Sequence, residues 1–151
     1  MDKLKIHSAY LHYGLKFSSS MDKPFDEYGN QNVWTLDGIN KLFGDYCLLT
    51  KENNDAYAIN SCKPILFSLE DLTKEITING ETFVPLHKIL EEYCFNLKVM
   101  SKEEILSYKE SLLEIDISYK VHSLLLEWKF NVFNLPEDEY IKVTEENNPY
   151  K

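Results

Sequence analysis

Residues 62–90, CKPILFSLEDLTKEITINGETFVPLHKIL, carry four local signals whose order decides the fold class. Ile65, Leu66 and Phe67 form a short apolar run behind Pro64, which has no N–H to give. The run therefore reads as a strand at a sheet edge or at a strand start. Ser68 followed by Asp71 has capping-box spacing, so Leu69 to Lys74 reads as one or two helical turns. Ile76 and Ile78 face Thr82 and Val84 across Asn79-Gly80, a pair suited to the two positive φ angles of a type I′ turn, and this predicts a hairpin. Pro85 then opens a helix in which Leu86, Ile89, Leu90 and Tyr93 recur at helical spacing.

Downstream the pattern is helical. Ser101 and Glu104 repeat the capping-box spacing ahead of Ile105, Leu106 and Tyr108, which predicts a helix to Ser111. Leu112 to Ile117 alternates with acids and reads as an extended link. A further helix is expected over 118–133, with two apolar faces. Val121, Leu124, Leu125, Trp128 and Val132 make one face, and Tyr119, Leu126, Phe130 and Phe133 make the other. Such a helix must cover both faces. Either it is sandwiched between the sheet and another helix of the same chain, or the face of Tyr119, Leu126, Phe130 and Phe133 meets a partner, because aromatic residues concentrate at interface centres. Pro136 stops this helix, Tyr140 to Val143 is expected to add one edge strand, and 144–151 reads as a frayed acidic tail.

Upstream, Met1 to Cys62 reads as short strands. Leu4, Ile6, Tyr10, Leu11, Tyr13 and Leu15 to Phe17 supply β-prone apolar mass before a polar loop from Ser18 to Gly29. Val33 to Leu36 is a strand ending in a tight Asp37-Gly38 turn, with Ile39, Leu42 and Phe43 packing after it. Tyr46 to Leu49 pairs with Ala56 to Ile59 across a polar turn. The expected fold is a single α+β domain over 1–143: a small N-terminal antiparallel sheet of about four to six strands, a hairpin, and about three C-terminal helices.

Three patches carry a resemblance: KPI-L-x-x-L-x-DLTKEI with its NGE turn and FVP, Tyr13-Gly14-Leu15-Lys16, and the run LEWKFNVFNL ending at Leu135. Taken in their order along the chain, they resemble small proteins of unassigned activity carried by bacterial phages and prophages. The resemblance implies that genomic context and a shared fold, and carries over no catalytic residue. One departure stands out: where that family reads W-H-F-D in its late helix, this chain has Trp128, Lys129, Phe130 and Asn131.

Composition narrows the function. At 151 residues with 44% hydrophobic and 27% charged residues, the chain matches one soluble globular domain. No apolar run reaches the ~20 residues of a membrane helix, the N-terminus lacks a signal-peptide apolar segment, and a cytoplasmic location in the host cell is expected. The formal charge of −9 argues against direct nucleic-acid binding, which rests on clustered Lys and Arg. It leaves open the opposite role, an acidic mimic of nucleic acid that inhibits a host protein.

Motifs with mechanical meaning are missing: GxGxxG, GxxxxGK, HExxH and the nucleophile elbow do not occur. His7, His12, His87 and His122 stand apart and read as structural. Glu91-Glu92 and Glu103-Glu104 point in different directions on their helices. Cys47, Cys62 and Cys94 have no disulfide or zinc spacing and read as buried, inert thiols. Tyr10, Tyr13, Tyr28 and Tyr57 are strand aromatics able to line a binding surface. No catalytic residue, cofactor or metal is assigned. The leading expectation is a non-enzymatic phage or prophage accessory that binds a host protein, a phage protein or itself. A small enzyme is the further alternative, requiring a pocket that gathers His122 with Glu114 or Asp116.

Overall fold

The computed structural model describes residues 2–19, 32–114 and 119–151. The fold is α+β, and its organising strand is the one behind Pro64. The sheet is built from β1 (Lys16–Ser18), β2 (Val33–Leu42), β3 (Asp45–Thr50), β4 (Ala56–Ala58) and β5 (Lys63–Leu66). The hairpin strands β6 (Ile76–Ile78) and β7 (Glu81–Phe83) pair separately, and β8 (Ile141–Lys142) returns to the main sheet. Strand order is β4-β3-β2-β1-β5-β8. All neighbours are antiparallel except β5 and β8, which run parallel. A parallel pair needs a crossover, and the hairpin and the C-terminal helices form it. Thus β5 lies inside the sheet rather than at its edge, with Pro64 opposite Phe17 near the strand start, where its missing N–H is tolerated.

Successive residues of a strand face opposite sides, so Ile65 and Leu66 serve different cores. Ile65 joins Phe67, Leu72, Ile76, Ile89, Val121, Leu125, Trp128 and Phe130. Leu66 joins Ile6, Tyr10, Leu15, Phe17, Leu36, Leu48 and Leu126. The second core is closed by α1 (Lys3–Tyr10), which replaces the strand expected there. Asp2 caps it by accepting from the Lys5 N–H at 3.2 Å, and Ile6 and Tyr10, four residues apart, face inward together.

The hairpin forms as its turn dictates, with Asn79 and Gly80 at φ 51° and 80°. Helices α2 (Pro85–Glu92) and α3 (Lys102–Glu114) follow. The capping box of α3 is closed in both directions: Ser101 N–H to Glu104 Oε2 at 2.7 Å, and Glu104 N–H to Ser101 Oγ at 3.2 Å. Helix α3 runs past Ser111, so the extended link is helical as far as Glu114; the rest of it, the 20–31 part of the polar loop, Tyr28 and Asp116 lie outside the described residues. At Ser68 the expected box does not close. The serine caps a 3₁₀ turn by accepting from Glu70 N–H, while Asp71 pairs with Lys74.

Three further expectations are overturned. Asp37-Gly38 is a bulge, not a turn: Leu36 pairs with Thr50 and Gly38 with Leu49, and β2 continues to Leu42. The turn comes at Phe43-Gly44, at φ 52° and 98°, and Phe43 is fully exposed instead of packed. The last helix, α4 (Tyr119–Glu127), stops well before Phe133. Lys129 adopts φ 59°, its N–H donates to the Leu126 carbonyl, and the Phe130 N–H reaches back to the Leu125 carbonyl. That is a Schellman stop with lysine where glycine is usual. Beyond it, Phe130 forms a parallel bridge with Phe67, tied by Phe67 N–H to the Lys129 carbonyl and Asn131 N–H to the Phe67 carbonyl, both at 2.9 Å.

The C-terminal residues are docked rather than frayed. Continuing the β1–β5 register places Lys16 opposite Ile65, and the Tyr150 hydroxyl sits between them. It accepts from the Lys16 N–H at 3.0 Å and donates to the Ile65 carbonyl at 2.7 Å. Asn148 Nδ2 donates to the Thr77 carbonyl, and the Asn79 N–H donates to the Tyr150 carbonyl, fastening the hairpin to the same segment.

Candidate functional site

The early stop of α4 disperses the four residues expected to meet a partner. Phe130 is 0% exposed and packs on Phe67 with ring centroids 5.6 Å apart. Leu126 is buried in the second core, and Phe133 is half-buried with its edge against Tyr10. Only Tyr119 stands on the surface, at 87% exposure. The two apolar faces of α4 are covered by the two cores of its own chain, which is the sandwiched alternative.

Tyr119 is one of five large apolar side chains exposed between residues 93 and 119, on and between three helices. Tyr93 and Phe95 follow α2, Val99 lies in the connection to α3, Leu106 is on α3, and all are exposed, Val99 at 78%. The helices are tied together. Phe95 packs on Tyr108 of α3 at 4.9 Å, Lys120 of α4 pairs with Glu92 of α2 at 2.7 Å, and the Lys120 ammonium lies 5.9 Å from the Tyr93 ring centroid. The Lys120 ammonium holds the Glu92 carboxyl below its usual range. Chain direction here is set by Cys94 at φ 63°, whose N–H donates to the Glu91 carbonyl while Phe95 N–H donates to that of Leu90. This second Schellman stop turns Phe95 back under α2 and leaves Cys94 exposed, against the expectation of a buried thiol. Sequence reading missed Tyr93 by placing it on the buried stripe of α2; the helix ends one residue earlier.

Charges around this surface are interleaved. Glu91, Glu92, Glu103, Glu104, Glu110, Glu114 and Asp116 are interspersed with Lys98, Lys102, Lys109 and Lys120, so this part of the chain shares the acidic balance of the whole. Among the described residues no three His, Cys, Asp or Glu side chains gather to hold a metal ion. No helix among them is long and apolar enough to cross a membrane. His12 and His87 are exposed and His122 half-buried. Glu114 and Asp116, proposed beside His122, are not among the described side chains. Cys62 is buried, and burial pushes its thiol up to about 12, so it stays protonated.

His7 is the one histidine sealed in the core. Its Nδ1 lies 2.8 Å from the Lys3 carbonyl, an acceptor only, so Nδ1 carries the proton and Nε2 a bare lone pair. Nε2 is buried with no hydrogen-bond partner among the described residues, and burial lowers the imidazole from 6.5 to about 4. The unfolded chain takes up a proton below 6.5 and the folded one only below about 4. Stability present above that window is therefore lost as pH falls through it, by about 3 kcal/mol in all. Urea unfolding at pH 7 and 4.5 checks this: wild type should lose clearly more stability than His7→Leu, and equal losses would contradict it.

Comparison of the chain with protein-family models, with curated proteins and with solved structures finds no match.

Proposed function

We propose that the chain is a non-enzymatic accessory protein of a phage or prophage that binds another protein through the surface of Tyr93, Phe95, Val99, Leu106 and Tyr119. The observation that carries this reading is the exposure of five large apolar side chains within 27 residues, on and between three helices. Folding gains nothing from leaving them in water, and large apolar side chains exposed this densely are what an interaction site draws on. Tyr and Phe are the side chains that anchor such interfaces.

The test is capture from a lysate of the host cell at low and high salt, with the captured protein identified by mass spectrometry. The reading predicts a stoichiometric partner, host or phage, that survives high salt, because apolar contacts are little screened. A partner released by salt would instead favour mimicry of nucleic acid. Recovery of the chain alone at dimer mass would make the partner a second copy. A monomer that captures nothing would overturn the reading.

A further inference from the structure

Lys129 is placed where the fold has little use for it. It occupies the left-handed position that ends α4, which glycine fills without strain and a side chain fills at a cost of about 1 kcal/mol. Its side chain is then buried, leaving the residue 6% exposed. Among the described residues no acceptor lies within hydrogen-bond or ion-pair distance of its ammonium. Its neighbours are the Tyr150 ring, 5.4 Å away at the centroid, and the more distant charge of Glu127. Burial lowers the affinity of this amine for its proton. A strained backbone and a side chain whose stem is buried while its ammonium opens to solvent without a protein acceptor, in one residue, point from structure to function.

Lys129 lines a cleft of about 540 Å³ between the hairpin, the 11–13 turn and the end of α4. Tyr13, Phe83 and Trp128 give the cleft aromatic walls, and Phe83 and Trp128 pack on each other at 5.1 Å. The other titratable groups are the exposed His12, Tyr13, Glu127, and Glu81, which is already paired with Lys88. One cation in this cleft is thus left without a hydrogen-bonded counter-ion, beside the edges of aromatic rings, the Phe83 face being held by the Lys88 ammonium 4.1 Å from its centroid.

We propose that this cleft binds a small organic anion, its oxyanion group on the Lys129 ammonium and its apolar body against Phe83 and Trp128. A charge-assisted hydrogen bond to a partly desolvated ammonium supplies the affinity, and the aromatic walls supply the selectivity for an organic over an inorganic ion. This site is separate from the helical surface and does not depend on it.

The test follows the indole N–H resonance of Trp128 by ¹⁵N-edited NMR during titration with benzoate and, separately, phenyl phosphate. The indole of Trp34, which donates to Ser19 Oγ at 3.1 Å, serves as the internal control. The expected result is a saturable shift of Trp128 alone. Whichever ligand binds more tightly tells carboxylate from phosphate. Lys129→Met should weaken binding at least about tenfold, the loss of one charge-assisted hydrogen bond. Lys129→Gly, the residue this backbone favours, should do the same and stands in if the methionine variant fails to fold. No saturable shift with either ligand, an equal shift with sodium chloride, or unchanged binding in both variants would overturn the proposal.

Discussion

Phe130→Ala is expected to destabilise the fold by about 4 kcal/mol, a large fraction of the stability of a domain this size. Phe130 is fully buried, packs on Phe67, and sits where the chain leaves α4 to bridge β5. The Tyr10 hydroxyl donates to its carbonyl, so the same residue ties α1 to the opposite core. A cavity there cannot collapse without moving both faces of the sheet. Urea unfolding followed by far-UV circular dichroism measures the effect. A loss below about 1 kcal/mol would mean that Phe130 is exposed, as the partner-facing alternative for a helix through Phe133 has it.

Tyr150→Ala is expected to cost about 3–5 kcal/mol, and Tyr150→Phe about 1–3 kcal/mol. The ring is buried against Phe67 with centroids 6.1 Å apart, and the alanine variant leaves that space empty. The phenylalanine variant keeps the ring but strips the Lys16 N–H and Ile65 carbonyl of the hydroxyl that bridges them. Thermal unfolding of the two variants beside wild type separates packing from hydrogen bonding. Wild-type stability in both would show a frayed end, as composition alone suggests.

The elements that could be read in the sequence announce themselves by short-range chemistry. Asn79-Gly80 specifies its turn, Pro85 its helix start, and Ser101 with Glu104 a cap whose two hydrogen bonds form as spaced. What escaped reading depends on residues that break the usual association between type and conformation. Both Schellman stops use side-chain-bearing residues, Cys94 and Lys129, so no glycine marks the ends of α2 and α4. With the end of α4 hidden, helical periodicity carries on through Phe133 and puts Phe130 on a second apolar face that either the core or a partner could cover. Helix α1 escaped because its apolar residues are β-prone and its one cap, Asp2, lies at the very start. Tyr150 escaped because an acidic, Asn-rich setting says nothing of a bond made 134 residues away at Lys16. Of the candidate surface only Tyr119 was legible. Tyr93 and Phe95 are exposed because α2 stops at Cys94 without a glycine to mark it, and the exposure of Val99 and Leu106 has no linear signal.

The reassignment from Phe130 to the helix ends is tested most directly by one comparison: the amount of captured partner protein retained by Val99→Asp/Tyr119→Asp relative to wild type, at equal folded protein. Both side chains stand in water, so their replacement should leave the unfolding transition within about 0.5 kcal/mol. The account predicts that the partner is lost while the transition is unchanged. A partner retained at wild-type level by this variant would contradict it and remove the helix-end surface as the binding site.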